Sequence, residues 1–299
     1  MHRLHGKIFK YSIAIGTSVM VASCSSGDQP LPPITVSTSS NPVITITYSH
    51  KHDDLKLDIQ KPDAKTSLHR GILLIHGGGW VGGNRTEMNE IGGYFSNRGF
   101  LVASVDYRLA PKNHWPAQLE DVQCAVRYLR SHAKDLDIEP KKIGAAGISA
   151  GGHLSAFLGS VDGGIADEYP GVSSRVQAVC SISGIHDLTQ HLTVKGDRYK
   201  IIQQLLGETG PPNGALRAKA SPIDAFDKNT APTMFIQGKE DMLVPAEQTN
   251  EATAKLKQIG IPTEAIFVDR MGHGLSPLAR DEAKALDEAI VWMKKYLAI

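Results

Sequence analysis

The 299 residues include 32 Lys and Arg against 31 Asp and Glu, so the formal net charge at pH 7 is only +1. This balance argues against a nucleic-acid-binding protein, which would carry a basic excess, and against an acidic interaction tail. Neither a CxxC nor an HExxH pattern accompanies the three cysteines, so the sequence predicts no metal site.

The first 23 residues have the pattern of a bacterial export signal. Three cationic residues in the first ten precede an apolar run at 11–21, which is too short to span a membrane. The junction 21–24, Val-Ala-Ser-Cys, resembles the lipobox of lipoproteins, so we expect cleavage before Cys24 and lipid on its sulfur. Simple secretion, with cleavage near Ala22 or Ser23 and an unmodified cysteine, is the alternative.

Residues 24–41 are rich in Ser and Pro and offer little to bury, so they predict a flexible tether. The residue after Cys24 is Ser25 and not aspartate, which favours the outer membrane, facing the periplasm or the cell surface. Several acyl chains on one residue would hold the protein on a lipid bilayer without a transmembrane helix.

Residues 42–299 predict one α/β domain. The segments 43–48 and 55–60 alternate apolar and polar residues, as in an exposed antiparallel pair. Apolar runs near residues 72, 101, 143, 176, 233 and 264 are separated by helical patterns, as in buried parallel strands. We therefore expect an open, mostly parallel eight-stranded sheet with helices on both faces.

Residues 147–151, Gly-Ile-Ser-Ala-Gly, follow an apolar strand and precede a helical pattern. A serine between two glycines in that context is typical of a nucleophile elbow, a strand-to-helix turn too sharp for flanking side chains. An ordinary glycine-rich turn is the alternative. A second element favours the elbow: the strand at 72–75 runs into His76 and three glycines, whose bare N–H groups could face a reacting carbonyl.

An acid and a histidine should follow the serine in that order. Asp241 lies in the loop after the strand at 233–237, and His273 lies between two glycines after the last strand. Glu240 and Asp269 are the alternative acids. Of twelve histidines, His273 alone follows the last strand at a glycine-bracketed turn.

Taken together, these motifs resemble the α/β-hydrolase superfamily. The chain is similar to the hormone-sensitive-lipase-like esterases and more similar still to the bacterial feruloyl and acetyl-xylan esterase-like group, from about residue 43 onwards. The motifs that carry this resemblance are His-Gly-Gly-Gly-Trp at 76–80, Asp-Tyr-Arg-Leu-Ala-Pro at 106–111, Pro-Ala-Gln-Leu-Glu-Asp at 116–121, 147–153, 237–245 and Gly-His-Gly at 272–274.

The resemblance implies a role for each matching residue. Ser149 would be the nucleophile, His273 the base, and Asp241 the group that orients the imidazole. The oxyanion hole would consist of the N–H groups of Gly78, Gly79 and Ala150. A further group would brace the loops, with no contact to substrate: His76, Asp106, Tyr107, Arg108, Glu120, Asp121 and His153.

Two departures from the lipase-like pattern concern the substrate pocket. Cap helices before the first strand are missing, and an insertion at 184–231 after strand 6 holds a predicted short helix at 199–207. We expect this insertion to form one wall of an open pocket. Trp80 and Trp115 are candidate walls as well. Trp80 could equally be a packing residue, and packing is the favoured role of Trp115.

The predicted function is a serine carboxylesterase for short-chain acyl esters that works through an acyl-enzyme and needs no cofactor. By analogy, small-molecule esters or acetyl and feruloyl esters of polysaccharides are its substrates. Two alternatives remain at this point: a prolyl-oligopeptidase-like serine peptidase, and a non-catalytic binding protein with a hydrolase fold. We expect Cys124 and Cys180 to be free core thiols, with a disulfide between them as the alternative.

Overall fold

The computed structural model describes residues 42–51, 54–163, 168–190, 197–277 and 279–298. The predicted signal peptide at 1–23, the candidate lipidation site Cys24 and the predicted tether at 24–41 lie outside the described residues. Within the described ranges, no helix is both long and apolar enough to cross a membrane.

Eight strands form one sheet in the order β1-β2-β4-β3-β5-β6-β7-β8. Strand β2 is antiparallel to both β1 and β4, and the other neighbouring pairs are parallel. The predicted α/β fold is confirmed. The strands are β1 (Ile44–Ser49), β2 (Leu55–Gln60), β3 (Arg70–Ile75), β4 (Phe100–Val105), β5 (Ile143–Ile148), β6 (Ala178–Ile182), β7 (Thr233–Gly238) and β8 (Thr263–Val268).

Helices cover both faces of the sheet because successive side chains of a strand point to opposite faces. Leu73 and Ile75 of β3 belong to a core with α2 and α3, whereas Ile72 and Leu74 belong to a core with α1 and α8. The described helices are α1 (Asn89–Ser96), α2 (Ala117–Ser131), α3 (Ala150–Ser160), α4 (Asp197–Leu206), α5 (Gly214–Lys219), α6 (Pro222–Ala225), α7 (Ala246–Gln258) and α8 (Arg280–Tyr296), with a 3-10 helix at Arg85–Met88.

The polar face of β2 departs from the sequence prediction. The antiparallel pair forms, but Asp58 and Gln60 are only 3% and 5% exposed. Asp58 accepts a hydrogen bond from Arg85 at 2.8 Å, and the Gln60 side chain donates to the Asn89 carbonyl at 3.2 Å. The prediction of an exposed face was therefore wrong, because polar partners from the segment after β3 cover it.

The insertion after β6 contains three of the helices. The helix predicted at 199–207 corresponds to α4, which ends one residue earlier, at Leu206, and α5 and α6 follow it. Ile202, Leu205 and Leu206 of α4 are buried. The backbone N–H of Trp115 donates to the Leu205 carbonyl at 2.8 Å, so α4 is tied to the loop before α2.

Both described cysteines are free thiols, as expected. Cys180 is buried and Cys124 is partly buried. Burial is the main cause that raises the pKa of each thiol to about 12, and the nearby Glu168 carboxylate adds to this effect at Cys124. Both thiols are therefore protonated and poorly reactive at neutral pH.

Candidate active site

Ser149 lies at the turn between β5 and α3 with φ 57° and ψ −117°, a conformation that side-chain-bearing residues rarely adopt. Its N–H donates to the Ile182 carbonyl of β6 at 2.8 Å. A Cβ on Gly147 would lie 2.4 Å from the Gly151 backbone, and one on Gly151 would lie 2.0 Å from the Ile75 carbonyl oxygen. The two flanking glycines are therefore required sterically, as the sequence motif predicts.

The glycine loop after β3 offers free backbone donors. Gly78 has φ +99°, and a Cβ there would lie 2.2 Å from the Gly82 carbonyl oxygen. The N–H groups of Gly78 and Gly79 donate to no other described residue. Ala150 is the first residue of α3, where N–H groups lack an intrahelical acceptor. All three N–H groups proposed for the oxyanion hole are thus available to a ligand.

His76 braces this loop. Its Nδ1 lies 2.7 Å from the Gly77 carbonyl oxygen, and its ring stacks on Tyr107 with centroids 4.2 Å apart. The Tyr107 hydroxyl donates to the carbonyls of His76 and Gly77, each at 3.2 Å. Burial lowers the pKa of His76, so the imidazole is neutral at pH 7 and serves the loop structure.

The acid and the histidine are joined by a hydrogen bond. His273 Nδ1 lies 2.9 Å from Asp241 Oδ2, and the Asp241 side chain is 1% exposed. The same carboxylate accepts from the N–H groups of Leu243 and Val244 and from the Gln237 amide. Burial acts to raise the pKa of Asp241, but the bonds from His273 and the two backbone N–H groups lower it below its ordinary value.

The two alternative acids lie elsewhere. Glu240 is exposed, and Asp269 forms a surface ion pair with Lys239 at 2.8 Å. Neither carboxylate hydrogen-bonds to His273 within the described residues. The structure therefore pairs His273 with Asp241 among the three candidates.

Ser149 and His273 line one cavity of about 430 Å³. The Ser149 hydroxyl forms no hydrogen bond with the His273 ring among the described contacts; in ligand-free sites such bonds are often long and shorten when substrate binds. The walls come from six segments: Gly77, Gly78, Gly79 and Trp80; Glu87 and Met88; Ile148 and Ser149; Ile185, Ile201 and Ile202; Leu243 and Val244; His273 and Gly274.

Helix α4 supplies part of the wall, as expected of the insertion, through Ile201 and Ile202. Trp80 also lines the cavity, and its indole N–H donates to His153 Nδ1 at 3.3 Å. Trp115 is not a lining residue; it packs on His153 with ring centroids 5.3 Å apart. Burial lowers the pKa of His153 to about 4, so His153 is a neutral packing residue, as predicted.

The charged motif residues after β4 brace loops outside the cavity. Arg108 bonds to Asp121 at 2.7 Å and to Glu120 at 3.1 Å, which ties the segment after β4 to α2. Asp106 accepts from Arg85 at 2.7 Å and so fixes the 3-10 helix that follows the glycine loop. None of these residues lines the cavity, in agreement with the predicted bracing role.

The sequence reasoning missed Glu87, Met88 and Leu243 as lining residues, whereas Ile185 belongs to the insertion that was expected to form a wall. Leu243 lies two residues after Asp241, so its place at the site could have been expected, whereas the positions of Glu87 and Met88 depend on how loops fold over the sheet edge. Within the described ranges, no group of three or more His, Cys, Asp or Glu side chains could hold a metal ion.

The model of the BD-FAE family matches residues 57–256, which include Ser149, Asp241 and the glycine loop. The chain belongs to the BD-FAE family. This agrees with the α/β-hydrolase fold seen in the structure and with the resemblance to the feruloyl esterase-like group.

Individual relatives point the same way. The chain is 30% identical over 217 residues to Esterase LipC of Mycobacterium tuberculosis, covering 68% of this chain and 52% of the relative. The chain spans about half the length of these curated relatives, LipC, LipM and LipQ of Mycobacterium tuberculosis. A truncated carbohydrate esterase from gut microbiota aligns with 27% identity and a TM-score of 0.74, over 88% of this chain and 99% of that one. The Est2 esterase of Thermogutta terrifontis, at 24% identity, a TM-score of 0.72 and coverage of 88% and 94%, shares the fold.

Proposed function

We propose that this protein is a serine carboxylesterase that hydrolyses short-chain acyl esters through a covalent acyl-enzyme. The observation that carries the proposal is the shared cavity: the strained Ser149 and the Asp241-bonded His273 line it together with the free N–H groups of the glycine loop. The names of the relatives, which are esterases, support the same class of reaction.

The hydrogen bond between His273 and Asp241 supports one assignment of the protons in the proposed reaction. Because His273 Nδ1 faces the Asp241 carboxylate, Nδ1 carries the ring proton and Nε2 is left as the acceptor. Nε2 takes the Ser149 proton as Oγ attacks the ester carbonyl carbon. The carbonyl oxygen becomes an oxyanion that accepts hydrogen bonds from Gly78, Gly79 and Ala150.

The tetrahedral intermediate then breaks its bond to the alcohol oxygen, which leaves with the proton held on Nε2. A water molecule takes the place of the alcohol and gives a proton to Nε2, and its oxygen attacks the acyl-enzyme carbonyl. Collapse returns the proton to Ser149 Oγ and releases the carboxylic acid. Asp241 remains ionised and stabilises the imidazolium in both halves of the cycle.

We further propose acetyl or feruloyl esters of polysaccharides as the substrate class. The relative named as a carbohydrate esterase supports this choice. The cavity supports it too, because its walls are mainly apolar around Ser149, which suits a small acyl group.

An active-site titration tests the proposed reaction. We expect the full chain to hydrolyse 4-nitrophenyl acetate and to lose activity when one organophosphate binds per molecule, on Ser149. Ser149→Ala should lower kcat/KM by about 10⁵–10⁶-fold, whereas Ser131→Ala, at an exposed serine on α2, should not change it. A parent protein that hydrolyses no ester, or a Ser149→Ala variant as active as the parent, would contradict the proposal.

We also propose that Cys24 carries a lipid anchor that places the enzyme on the outer membrane of the bacterium. The support is the signal-like segment 1–23 and the Ser-rich segment after it. Metabolic labelling with palmitate, followed by membrane fractionation, should show label and membrane association in the parent and neither in Cys24→Ala. An unlabelled parent in the soluble fraction would overturn the anchor without affecting the proposed reaction.

A further inference from the structure

Glu87 is the one carboxylate among the described residues that line the catalytic cavity. It lies in the 3-10 helix Arg85–Met88, and its side chain is exposed. The neighbouring lining residues Met88 and Ile148 are apolar. A carboxylate in such a wall is conspicuous, because ligand cavities use their few polar groups to orient the ligand.

The fold itself makes little use of this carboxylate. Its only described hydrogen bond comes from the Asn84 amide at 3.5 Å, the outer limit for such a bond. The adjacent Arg85 turns away and bonds to Asp58 and Asp106. Within the described residues, Glu87 therefore faces the cavity without a cationic partner.

The charge of Glu87 acts on His76 and Tyr107, which lie beneath the glycine loop. Burial is the main cause that lowers the pKa of His76, and the negative charge of Glu87 acts in the opposite direction. Burial also raises the pKa of Tyr107, and Glu87 adds to that rise. The carboxylate thus contributes a negative potential on this side of the cavity.

An ionised carboxylate only accepts hydrogen bonds, and bonds from hydroxyl groups to an anion are among the strong ones. It also repels a second anion that binds nearby. We propose that Glu87 is a specificity-determining residue. It accepts hydrogen bonds from the hydroxyl groups of an uncharged sugar that forms the alcohol part of the ester, and it disfavours esters whose alcohol part carries a carboxylate. The inference rests on the proposed esterase function and narrows its substrate class.

Three acetyl esters separate hydrogen bonding to the sugar from repulsion of a charge. They are 4-nitrophenyl acetate, an acetylated methyl xyloside and an acetylated methyl glucuronoside, which differs from the xyloside by its carboxylate. The proteins are the full-length parent, Glu87→Gln, Glu87→Ala and the control Glu90→Gln. Glu90 is an exposed acid on α1, three residues further on, and it does not line the cavity. Each kcat/KM is divided by that of the same protein for 4-nitrophenyl acetate, which removes general losses of activity.

We expect the parent to prefer the xyloside, and Glu87→Gln to raise the glucuronoside-to-xyloside ratio by about five- to tenfold. Glu87→Ala should also raise KM for the xyloside by about fivefold, because an acceptor is lost. Glu90→Gln should resemble the parent. Raising the salt concentration from about 20 mM to about 500 mM should favour the glucuronoside in the parent, because salt screens the charge of Glu87.

An unchanged ratio in Glu87→Gln, with the aryl ester still hydrolysed, would overturn this inference and leave the proposed function standing. A parent that hydrolyses none of the three esters would overturn the proposed function, and this inference with it. If Glu87→Gln does not fold, the salt dependence of the parent decides, since a ratio insensitive to salt contradicts a role for this charge.

Discussion

His273 Nδ1 and Asp241 Oδ2 lie 2.9 Å apart although the two residues are separated by 32 positions in the chain. Each residue follows one of two adjacent parallel strands, β7 and β8, whose last residues Gly238 and Val268 are paired in the sheet. Because both strands end at the same edge, the loops after them meet. The pairing of the two strands thus brings the imidazole and the carboxylate to the same edge of the sheet.

We expect Asp241→Asn to lower kcat by about 10³–10⁴-fold with little change in KM. The amide can donate a hydrogen bond to Nδ1 and so favour the tautomer in which Nε2 carries the proton and cannot accept one from Ser149. Steady-state kinetics with 4-nitrophenyl acetate measures the effect. Glu240→Gln, at the exposed neighbour, is the matched control and should keep the parent activity; the opposite result would transfer the role to Glu240.

The order rule for this fold predicts the acid and the histidine from the sequence, yet it could not separate Asp241 from Glu240 or Asp269. The difference is burial, which depends on the path of the loop. Asp241 turns inward because the backbone N–H groups of Leu243 and Val244 bond to its carboxylate. Those bonds form only once the loop has folded, so the linear pattern does not contain them.

Alanine substitutions at Gly78 and Gly82 test whether catalysis depends on the exact backbone geometry of the glycine loop. We expect Gly78→Ala to lower kcat by about 10²-fold or more, because its Cβ would lie 2.2 Å from the Gly82 carbonyl oxygen and shift the proposed oxyanion donors. Gly82→Ala is the control, since its Cβ would meet its nearest neighbour at 3.9 Å. Equal losses in the two variants would mean that the loop has no precise catalytic geometry.

Buried neutral histidines should make the fold sensitive to acid. Burial lowers the pKa of His186 to about 3 and that of His153 to about 4. Between these values and the unfolded pKa of about 6.5, the unfolded chain binds more protons than the folded one, so stability falls as the pH falls. Each histidine contributes a slope of up to about 1.4 kcal/mol per pH unit in that window.

Urea unfolding between about pH 7 and pH 5 measures this slope. His186→Gln should reduce it by up to about 1.4 kcal/mol per pH unit, because residue 186 no longer titrates. His50→Gln, at an exposed histidine, is the control and should keep the parent slope. If the slope of His186→Gln equals that of the parent, residue 186 binds protons equally well in the folded and unfolded chains and the argument from burial fails.

The covered face of β2 shows where sequence patterning reaches its limit. Alternation at 55–60 predicts the strand and its antiparallel partner, but it assigns Asp58 to solvent. Asp58 is buried because Arg85, 27 positions further along the chain, donates a hydrogen bond to it. A polar residue in an alternating strand is exposed only if no later element brings a partner, and the strand itself does not indicate which case applies.

The ion pair between Arg85 and Asp58 leads to a prediction for the stability of the fold. Arg85→Met leaves Asp58 buried without its cation, so we expect a loss of about 2–4 kcal/mol in the free energy of unfolding. Arg98→Met is the control, because Arg98 pairs with the half-exposed Asp287 and should cost about 1 kcal/mol or less. Adding Asp58→Asn to Arg85→Met should recover part of the loss. A double variant less stable than either single variant would contradict an uncompensated charge as the cause.

The insertion after β6 should set the length of acyl chain that the cavity accepts. Ile201 reaches the glycine loop, since its Cγ2 lies 2.9 Å from the position of a Cβ on Gly79, and it lines the cavity beside Ile202. This places the side chain next to the N–H groups proposed as oxyanion donors, where the acyl group of an ester bound in the proposed manner would begin. Ile201→Ala removes three carbon atoms from that wall and should make room for longer acyl chains.

We expect Ile201→Ala to raise the ratio of kcat/KM for 4-nitrophenyl octanoate over 4-nitrophenyl acetate by about tenfold, since each added methylene that finds a pocket contributes about 0.8 kcal/mol. Gln204→Ala, at an exposed position on the same helix, is the matched control and should keep the parent ratio. Ile201→Trp should shift the ratio in the opposite direction by filling the space. A chain-length profile that is identical in all four proteins would place the acyl group away from α4 and would leave the wall formed by Met88 and Leu243 as its binding surface.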